Sequence, residues 1–242
     1  MSDAAARILP FKCKSDRGTM DKLQAIRIIT KAAMLYKTNL ENKKILFLYG
    51  VPGDVKKQIA SQADTLSSIK GYEAAFQKSN FLHLTGVQIH PEKVKSAAHF
   101  YDMCISNRLT EKAFSFPADG SSHQKLDIIE SMMSIGKTAT MIGDFTDRGP
   151  KLYSEKVTGN VFGCMGFVKD SRSGVNVPNT LLKKDIRDVT SVPTNKVFFT
   201  FTKAYGDAHY SSIIKGDKGI DIDTVIFDPE IEKIIDRSKI NG

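Results

Sequence analysis

The sequence has few cysteines and no long apolar run. Its three cysteines, Cys13, Cys104 and Cys164, lie far apart without a C-x-x-C motif, which excludes an encoded disulfide framework or zinc ribbon. No apolar run approaches the roughly 18 residues of a membrane helix, and the first residues lack a charged end followed by an apolar stretch. We therefore expect an unprocessed chain in a reducing cytoplasm, with no membrane partner.

Motifs for metals, cofactors and nucleotides are also missing. The five histidines contain no pair at helical i, i+4 spacing and no H-E-x-x-H, so we expect no metal site and no cofactor. The segment 135–138 has the Gly-Lys-Thr ending of a phosphate-binding loop, but Ser131 stands where the first glycine of that loop belongs. The sequence therefore argues against a P-loop.

The segment 143–149, Gly-Asp-Phe-Thr-Asp-Arg-Gly, resembles part of the metal-dependent phosphoprotein phosphatases, in which an aspartate bridges two metal ions. That family also needs an upstream Asp-x-His and a downstream Gly-Asn-His-Glu. Here Asp-x-His occurs only downstream, at 207–209, and Gly159 and Asn160 are followed by Val161. With half of the metal ligands missing, a polar turn after a strand is the better interpretation.

The sequence does contain a large apolar fraction and an excess of positive charge. Its 242 residues are 41% apolar and include 14 phenylalanines, which is enough for a substantial core. The net charge of +8 favours an anionic partner, nucleic acid first and acidic protein second. We expect an arm and a helix over residues 1–40 and one α+β domain over residues 41–242.

Hydrophobic periodicity predicts the order of the elements. It predicts helices at 16–39, 90–105, 122–136 and 178–187. It predicts strands at 43–49, 80–87, 138–145, 161–169, 174–177, 195–203 and 224–227. Early helices followed by strands predict an α+β fold in which N-terminal helices pack on a mostly antiparallel sheet.

The stretch 80–87 reads Asn-Phe-Leu-His-Leu-Thr-Gly-Val and is apolar on both faces when read with period two. This pattern predicts an interior strand. His83 and Thr85 share one face of that strand, and a buried polar group costs about 1–3 kcal/mol when it is unpaired. We therefore expect both side chains either to be satisfied locally or to open into a site.

Several short segments occur in a characteristic order. They are Phe-Leu-His-Leu-Thr-Gly at 81–86, Ile-Gly-Asp-Phe at 142–145, Gly-Asn at 159–160, Gly-Phe at 166–167, Val-Pro-Asn-Thr-Leu-Leu-Lys at 177–183, Asp-Ile-Arg at 185–187, and the strand 197–203. Together they resemble a phage-encoded nuclease-like family, the fourth of the phage barnase/EndoU/colicin/RelE-like groups. The resemblance spans about residues 40–215, and the segments 81–86 and 177–183 are its more specific parts.

The resemblance implies a small α+β fold whose relatives cut RNA without a metal. Attack by a ribose 2′-hydroxyl needs a base, a cation at the phosphate and an acid at the leaving oxygen. The implied catalytic residues are His83, Thr85 and Lys203. The implied nucleic-acid-binding residues are Thr180, Lys183, Lys184, Arg187, Tyr205 and Tyr210.

Each of these residues also has a simpler structural interpretation. A histidine in an apolar strand is more often a hydrogen-bonded core residue, and a lysine at a strand end is ordinarily solvated. Lys183, Lys184 and Arg187 would most simply form the wet side of a short helix. The sequence also leaves open which face of the strand 195–203 lines a site.

Two hypotheses follow. The first is a phage or prophage ribonuclease that cleaves RNA or tRNA in the cytoplasm of a host cell. The second is a binding protein on the same fold, without turnover, that inhibits a host defence factor or occupies nucleic acid. The lack of a second histidine near His83 favours the second. RNA is thus the first expected partner and a host protein the alternative, while the oligomeric state is left open.

Overall fold

The computed structural model describes residues 13–15, 18–146, 154–192 and 194–240. Within these ranges the chain forms seven α-helices: α1 Lys22–Asn39, α2 Pro52–Ala60, α3 Phe81–Thr85, α4 Ala97–Ile105, α5 Ser121–Met132, α6 Ile135–Thr138 and α7 Pro229–Glu232. The same ranges contain twelve strands: β1 Cys13–Ser15, β2 Gly18–Met20, β3 Lys43–Gly50, β4 Lys70–Phe76, β5 Gln88–Ile89, β6 Phe114–Ser115, β7 Met141–Asp144, β8 Lys156–Gly159, β9 Cys164–Lys169, β10 Asn176–Leu182, β11 Asn195–Ala204 and β12 Ser212–Lys215. No helix in the described part of the chain has the length and apolarity needed to cross a membrane.

Eight of the strands form one sheet in the order β12-β11-β3-β4-β10-β9-β8-β7, and β7 also pairs with β11. This last pairing closes seven strands into a barrel, with β12 attached outside the ring. Neighbouring strands are antiparallel except β4 and β10, which form a parallel pair with Ala74 opposite Asn176. The β4–β10 junction is therefore the least paired part of the ring.

The mixed helix and strand content agrees with the predicted α+β class, but the simple layout of helices packed on a sheet is wrong. The closure depends on β11, which is 10 residues long. Its first residues, Asn195 and Lys196, pair with β7, and Lys196–Ala204 pairs with β3. A register shift between Val197 and Phe199 bends the strand, as β-bulges do. Because Lys196 pairs with Met141 of β7 and with Gly50 of β3, β7 and β3 lie on opposite edges of β11, and this closes the ring.

The third strand lies between two hydrophobic clusters, which explains why its last six residues are all buried. Ile45 and Phe47 belong to the larger cluster, formed with α1, α4 and α5. Leu46 and Leu48 belong to a second cluster that includes the C-terminal Phe227. Because successive strand residues point to opposite faces, a strand covered on both sides is apolar throughout.

The predicted interior strand at 80–87 is wrong. Lys78–Asn80 forms a 3₁₀ turn and α3 follows it. Phe81 and Leu84 are buried at i, i+3 spacing while His83 is exposed. A short stretch that is apolar on both faces satisfies period two and period 3.6 alike, and the helix ends at Gly86, whose φ of 70° is a left-handed C-cap.

The predicted helix at 178–187 is also wrong, because β10 runs through this segment and pairs with β9. Pro178 favoured a helix start in the sequence. In the structure a register shift lies between Pro178 and Thr180, and a bulge is one of the few places where a strand accommodates proline. Thr180, Lys183 and Lys184 therefore lie on or just after a strand.

Two further boundaries differ from the prediction. The helix predicted from residue 90 begins at Ala97, because the Ser96 hydroxyl accepts a hydrogen bond from the His99 backbone and caps it there. The strand predicted at 224–227 has no regular structure. Its apolar side chains Val225 and Phe227 are nevertheless buried in the second cluster.

Replacing Thr200 with valine should stabilise the fold. Thr200 is fully buried, and its hydroxyl has no hydrogen-bond partner among the described residues. Thr200→Val keeps the shape and removes the buried polar atom, so the free energy of unfolding in urea should rise by about 1 kcal/mol.

The matched control for Thr200 is Thr158→Val. Thr158 is equally buried, but its hydroxyl donates to the Met141 carbonyl at 2.9 Å, so this variant should lose stability. Equal losses for the two variants would contradict the assignment of Thr200 as an unsatisfied group.

Candidate functional site

A cleft of about 530 Å³ opens between the turn that carries His83 and the hairpin that joins β9 to β10. One wall consists of the 3₁₀ turn and α3, and it contributes Gln77, Ser79, Asn80 and His83. The other wall comes from the hairpin and the start of β10, with Lys169, Asp170, Ser171, Arg172, Ser173 and Asn179. The two more specific motif segments, 81–86 and 177–183, thus face each other across one cleft.

The His83 turn is built so that its apolar residues point inward and the histidine points outward. Phe81 and Leu84 are fully buried in the larger cluster. The Thr85 hydroxyl donates to the Leu82 carbonyl at 2.7 Å and accepts from the Val87 backbone at 3.3 Å. Thr85 is therefore satisfied within the turn, and its role in this structure is to fix the backbone beside His83.

Two side chains of α5 hold the turn from outside. The Ser122 hydroxyl donates to the Gly86 carbonyl at 2.6 Å, and Lys125 Nζ donates to the His83 carbonyl at 3.0 Å. Burial lowers the pKa of Lys125. We call these two contacts the α5 clamp; they fix the backbone on both sides of the motif while the His83 imidazole stays in the cleft.

His83 is exposed at the surface, yet the surrounding protein partly desolvates its ring. This desolvation, together with the nearby positive charge of Lys125, lowers the pKa of His83 from its usual value. The imidazole is therefore largely neutral at pH 7 and ready to accept a proton.

The hairpin wall offers positive charge to the cleft. Asp170 organises the turn: its carboxylate accepts from the Ser173 hydroxyl at 2.7 Å and from the Arg172 backbone at 3.1 Å, and these hydrogen bonds lower its pKa. Lys169 and Arg172 are exposed and line the cleft. Two cations beside a neutral histidine suit the binding of a phosphate group.

The sequence-based hypothesis did not include Lys169 and Arg172. The sequence feature that could have indicated them is the polar run Lys-Asp-Ser-Arg-Ser-Gly at 169–174, which lies between two predicted strands. Their relation to His83 depends on how the hairpin folds back against residues 77–83, which no local pattern reveals.

Lys203, Tyr205 and Tyr210 lie elsewhere, and they are not among the residues that line the cleft. Lys203 Nζ donates to the Ala208 carbonyl at 2.9 Å and lies 4.6 Å from the centre of the Tyr210 ring. Glu73 joins them: it accepts from Tyr210 Oη at 2.6 Å and from Lys44 Nζ at 2.8 Å. We call Lys44, Glu73, Lys203 and Tyr210 the Glu73 cluster, and Tyr205 borders it through Lys44.

Electrostatics favour the ionised form of Glu73 within the cluster. Burial alone would raise the pKa of Glu73, but the hydrogen bonds from Lys44 and Tyr210 and the charge of Lys203 outweigh it, and the pKa is lowered. Burial lowers the pKa of Lys203, although Glu73 opposes this. The cluster therefore resembles a structural ion network more than an open phosphate site.

The predicted nucleic-acid-binding residues near β10 fall into two groups. Thr180 is buried, and Lys183 Nζ lies 3.2 Å from the Asp127 carboxylate. Arg187 and Lys184 are exposed, and Arg187 forms a two-pronged contact with the carboxylate of Asp185. Lys184 takes part in none of the ion pairs among the described residues.

Within the described ranges, no three histidine, cysteine, aspartate or glutamate side chains come close enough to hold a metal ion. The phosphatase-like segment is only partly visible in these ranges. Residues 147–149, its Asp-Arg-Gly ending, lie outside the described residues.

A mixed fold with a histidine and two cations in one cleft fits a nuclease-like class of α+β proteins. The family model for phage-Barnase-EndoU-ColicinE5/D-RelE like nuclease 4 matches residues 28–219. Because this match covers most of the 242-residue chain, the chain belongs to that family, and the resemblance inferred from the motifs is confirmed. No curated protein and no solved structure matches the chain.

Replacing Gly86 should weaken the fold more than replacing another left-handed glycine. A Cβ at Gly86 would lie 2.8 Å from Lys125 Cδ and 3.2 Å from Ser122 Cα, and φ is +70°. Gly174 has a φ of +69° with open space around it. Both alanine variants should lose about 1–2 kcal/mol from the left-handed backbone, and Gly86→Ala should lose more because it disturbs the α5 clamp. Equal losses in urea denaturation would show that the clamp contributes nothing.

Glu73→Gln should destabilise the protein at pH 7 by about 1–3 kcal/mol, because Lys44 and Lys203 lose their carboxylate. Since the pKa of Glu73 is lowered in the folded state, its contribution is present above its unfolded pKa and is lost as the pH falls through the folded pKa. The variant should therefore lose less stability than wild type between pH 7 and pH 3.

The control for Glu73 is Glu230→Gln, because the Glu230 side chain is 79% exposed and, among the described residues, forms an ion pair only with the exposed Lys233. Its stability at pH 7 should stay close to that of wild type. If Glu73→Gln behaves in the same way, the Glu73 cluster has no stabilising role.

Proposed function

We propose that the chain is a metal-independent endoribonuclease whose reaction takes place in the His83 cleft. The observation that carries the proposal is the meeting of an exposed His83 with Lys169 and Arg172 in that cleft. The family to which the chain belongs supports nuclease-like chemistry. RNA is the favoured substrate because its 2′-hydroxyl supplies the nucleophile that a site of this kind needs.

In this proposal His83 is the general base. Its lowered pKa leaves the imidazole neutral at pH 7, so it takes the proton of the 2′-hydroxyl as the oxygen attacks the adjacent phosphorus. Lys169 and Arg172 offset the charge that develops on the phosphoryl oxygens. The bond to the 5′-oxygen breaks, that oxygen takes a proton from solvent, and the products are a 2′,3′-cyclic phosphate and a 5′-hydroxyl end.

Thr85 and Lys203, the other two residues that the sequence suggested as catalytic, have structural roles in this proposal. Thr85 is a positioning residue, since its hydroxyl is committed to the backbone of the His83 turn. Lys203 belongs to the Glu73 cluster, and we assign it to stability rather than to phosphate binding.

A binding protein without turnover is the second candidate, and one observation favours it. His83 is the one histidine among the described residues that line the cleft. Asp170, the carboxylate in the cleft, is committed to its own turn. The cleft thus offers a single group suited to proton transfer, whereas an efficient nuclease of this type uses two. Such a protein would hold RNA, or a host factor that resembles it in charge, without cutting it.

Incubation of purified protein with total RNA in EDTA tests the proposal. His83→Ala should lower the cleavage rate by about 10² to 10⁴-fold. His209→Ala is the matched control, because His209 is exposed and lies outside the cleft, and it should cleave like wild type. Since the pKa of His83 is lowered, wild-type activity should fall only when the pH drops below about 6.5, the usual histidine value.

Three results would change the assignment. Loss of cleavage in a folded Lys203→Ala, with His83→Ala still active, would move the reaction to the Glu73 cluster. Intact RNA at high excess of wild-type protein, together with RNA binding that weakens as salt rises, would establish the binding protein instead. Cleavage that stops when EDTA is added would exclude the metal-independent mechanism.

A further inference from the structure

The turn between β8 and β9 exposes two apolar side chains on a rigid backbone. Val161 is 42% exposed and Phe162 is 79% exposed. Asn160 fixes the turn: its side-chain oxygen accepts from the Phe162 backbone at 2.8 Å, and its backbone N–H donates to the Gly163 carbonyl at 3.0 Å. The ordered turn therefore presents the Phe162 ring to solvent at a fixed position.

Asn160 also ties this turn to two neighbouring segments. Its amide nitrogen donates to the Thr138 carbonyl at 3.3 Å, and its carbonyl accepts from the Ile186 backbone at 3.2 Å. The turn therefore sits between the end of α6 and the 3₁₀ turn at Ile186–Asp188. Four hydrogen bonds of one side chain and its backbone make the position of Phe162 largely independent of a partner.

Positive charges lie on both segments that hold the Phe162 turn. Lys137 precedes Thr138, whose carbonyl accepts from the Asn160 amide, and Lys184 lies two residues before Ile186, whose backbone donates to the Asn160 carbonyl. Lys184 and Lys137 are exposed and belong to none of the ion pairs of the described part of the chain. The nearby Asp185 is occupied by Arg187, and Asp188 is the remaining exposed carboxylate of this segment.

We propose that Phe162 is a stacking platform for one base of a single-stranded RNA, with Lys184 and Lys137 neutralising the phosphates beside it. An exposed aromatic ring with cations nearby is an arrangement that holds single-stranded nucleic acid without reading its sequence. Lysine is depleted in the cores of protein–protein interfaces, which favours nucleic acid over a protein partner. The choice of RNA rests on the proposed function.

The platform lies at the far end of the ladder from the cleft. The cleft takes in residues at the end of β9 and the start of β10, and Phe162 precedes the start of β9. With 6 residues in β9 and about 3.3 Å per residue, the two contacts are roughly 20 Å apart. The substrate is therefore a strand of several nucleotides, which binds at both ends of the ladder, and not a mononucleotide.

A single-tryptophan variant tests the stacking directly. The chain contains no tryptophan, so Phe162→Trp places the sole indole at the platform. On a His83→Ala background in EDTA, a 12-nucleotide single-stranded RNA of mixed sequence should quench its fluorescence as a base stacks on it. Ile226→Trp is the control: Ile226 is 54% exposed beside the second cluster, and its emission should not change.

Affinity measurements separate stacking from charge. On the same background Phe162→Ala should weaken binding of the RNA by about tenfold, and Phe162→Tyr should restore it. Phe162→Ala should leave the dependence on salt unchanged, while Lys184→Ala should reduce the slope of log affinity against log salt by about 0.7. A fully paired RNA duplex, whose bases are not free to stack, should bind Phe162→Ala and its parent equally.

Equal binding of the single strand by Phe162→Ala and its parent, with no quenching of Phe162→Trp, would overturn the inference. That result leaves cleavage in the His83 cleft untouched. Conversely, loss of binding in Phe162→Ala in a protein that never cuts RNA would keep the platform and remove the proposed reaction.

Discussion

The candidate site depends on the α5 clamp, in which Ser122 and Lys125 bind the carbonyls of Gly86 and His83. The turn they hold is only five residues of helix, too short to be stable alone. Burial of Phe81 and Leu84 anchors its inner side, and the clamp anchors its outer side. The backbone at His83 is thereby fixed while its imidazole stays in the cleft, as the proposed role in proton transfer requires.

The strand β10 connects the cleft with the opposite end of the β9–β10 ladder. Its first residues form the cleft wall opposite His83, and Lys183 and Lys184 follow its last residue. Because β9 and β10 pair in antiparallel register, the cleft and the Phe162 turn lie at opposite ends of one ladder. A hydrogen-bonded ladder does not stretch, so the spacing of the two surfaces is set by strand length.

Sequence reasoning found the elements with strong periodicity, among them α1, β3 and β11, because burial of one or both faces leaves a regular apolar pattern. It found His83 through a motif but assigned it to a strand, since Phe81 and Leu84 fit either period over so few residues. It missed Lys169 and Arg172 because their role arises only when the hairpin folds against a segment some 90 residues earlier. Closure of the barrel was missed for the same reason: Asn195 pairs with β7 and Lys196 pairs with both β7 and β3, and local propensity does not encode such distant partners.

The net charge of +8 attracts a polyanion to the molecule but does not say where it binds. Lys44 and Lys203 both lie beside Glu73, and Lys183 pairs with Asp127. Carboxylates of the protein itself therefore largely neutralise these three lysines. Exposed lysines without an ion pair among the described residues also occur on α2, at Lys56 and Lys57. No histidine and no aromatic residue belongs to that helix. The cleft and the Phe162 turn differ from α2 because each combines cations with a second kind of group. That group is an imidazole in the cleft and an aromatic ring at the turn. In the proposed function, an RNA strand attracted by the net charge is retained where phosphate neutralisation coincides with these groups, at the two ends of the β9–β10 ladder.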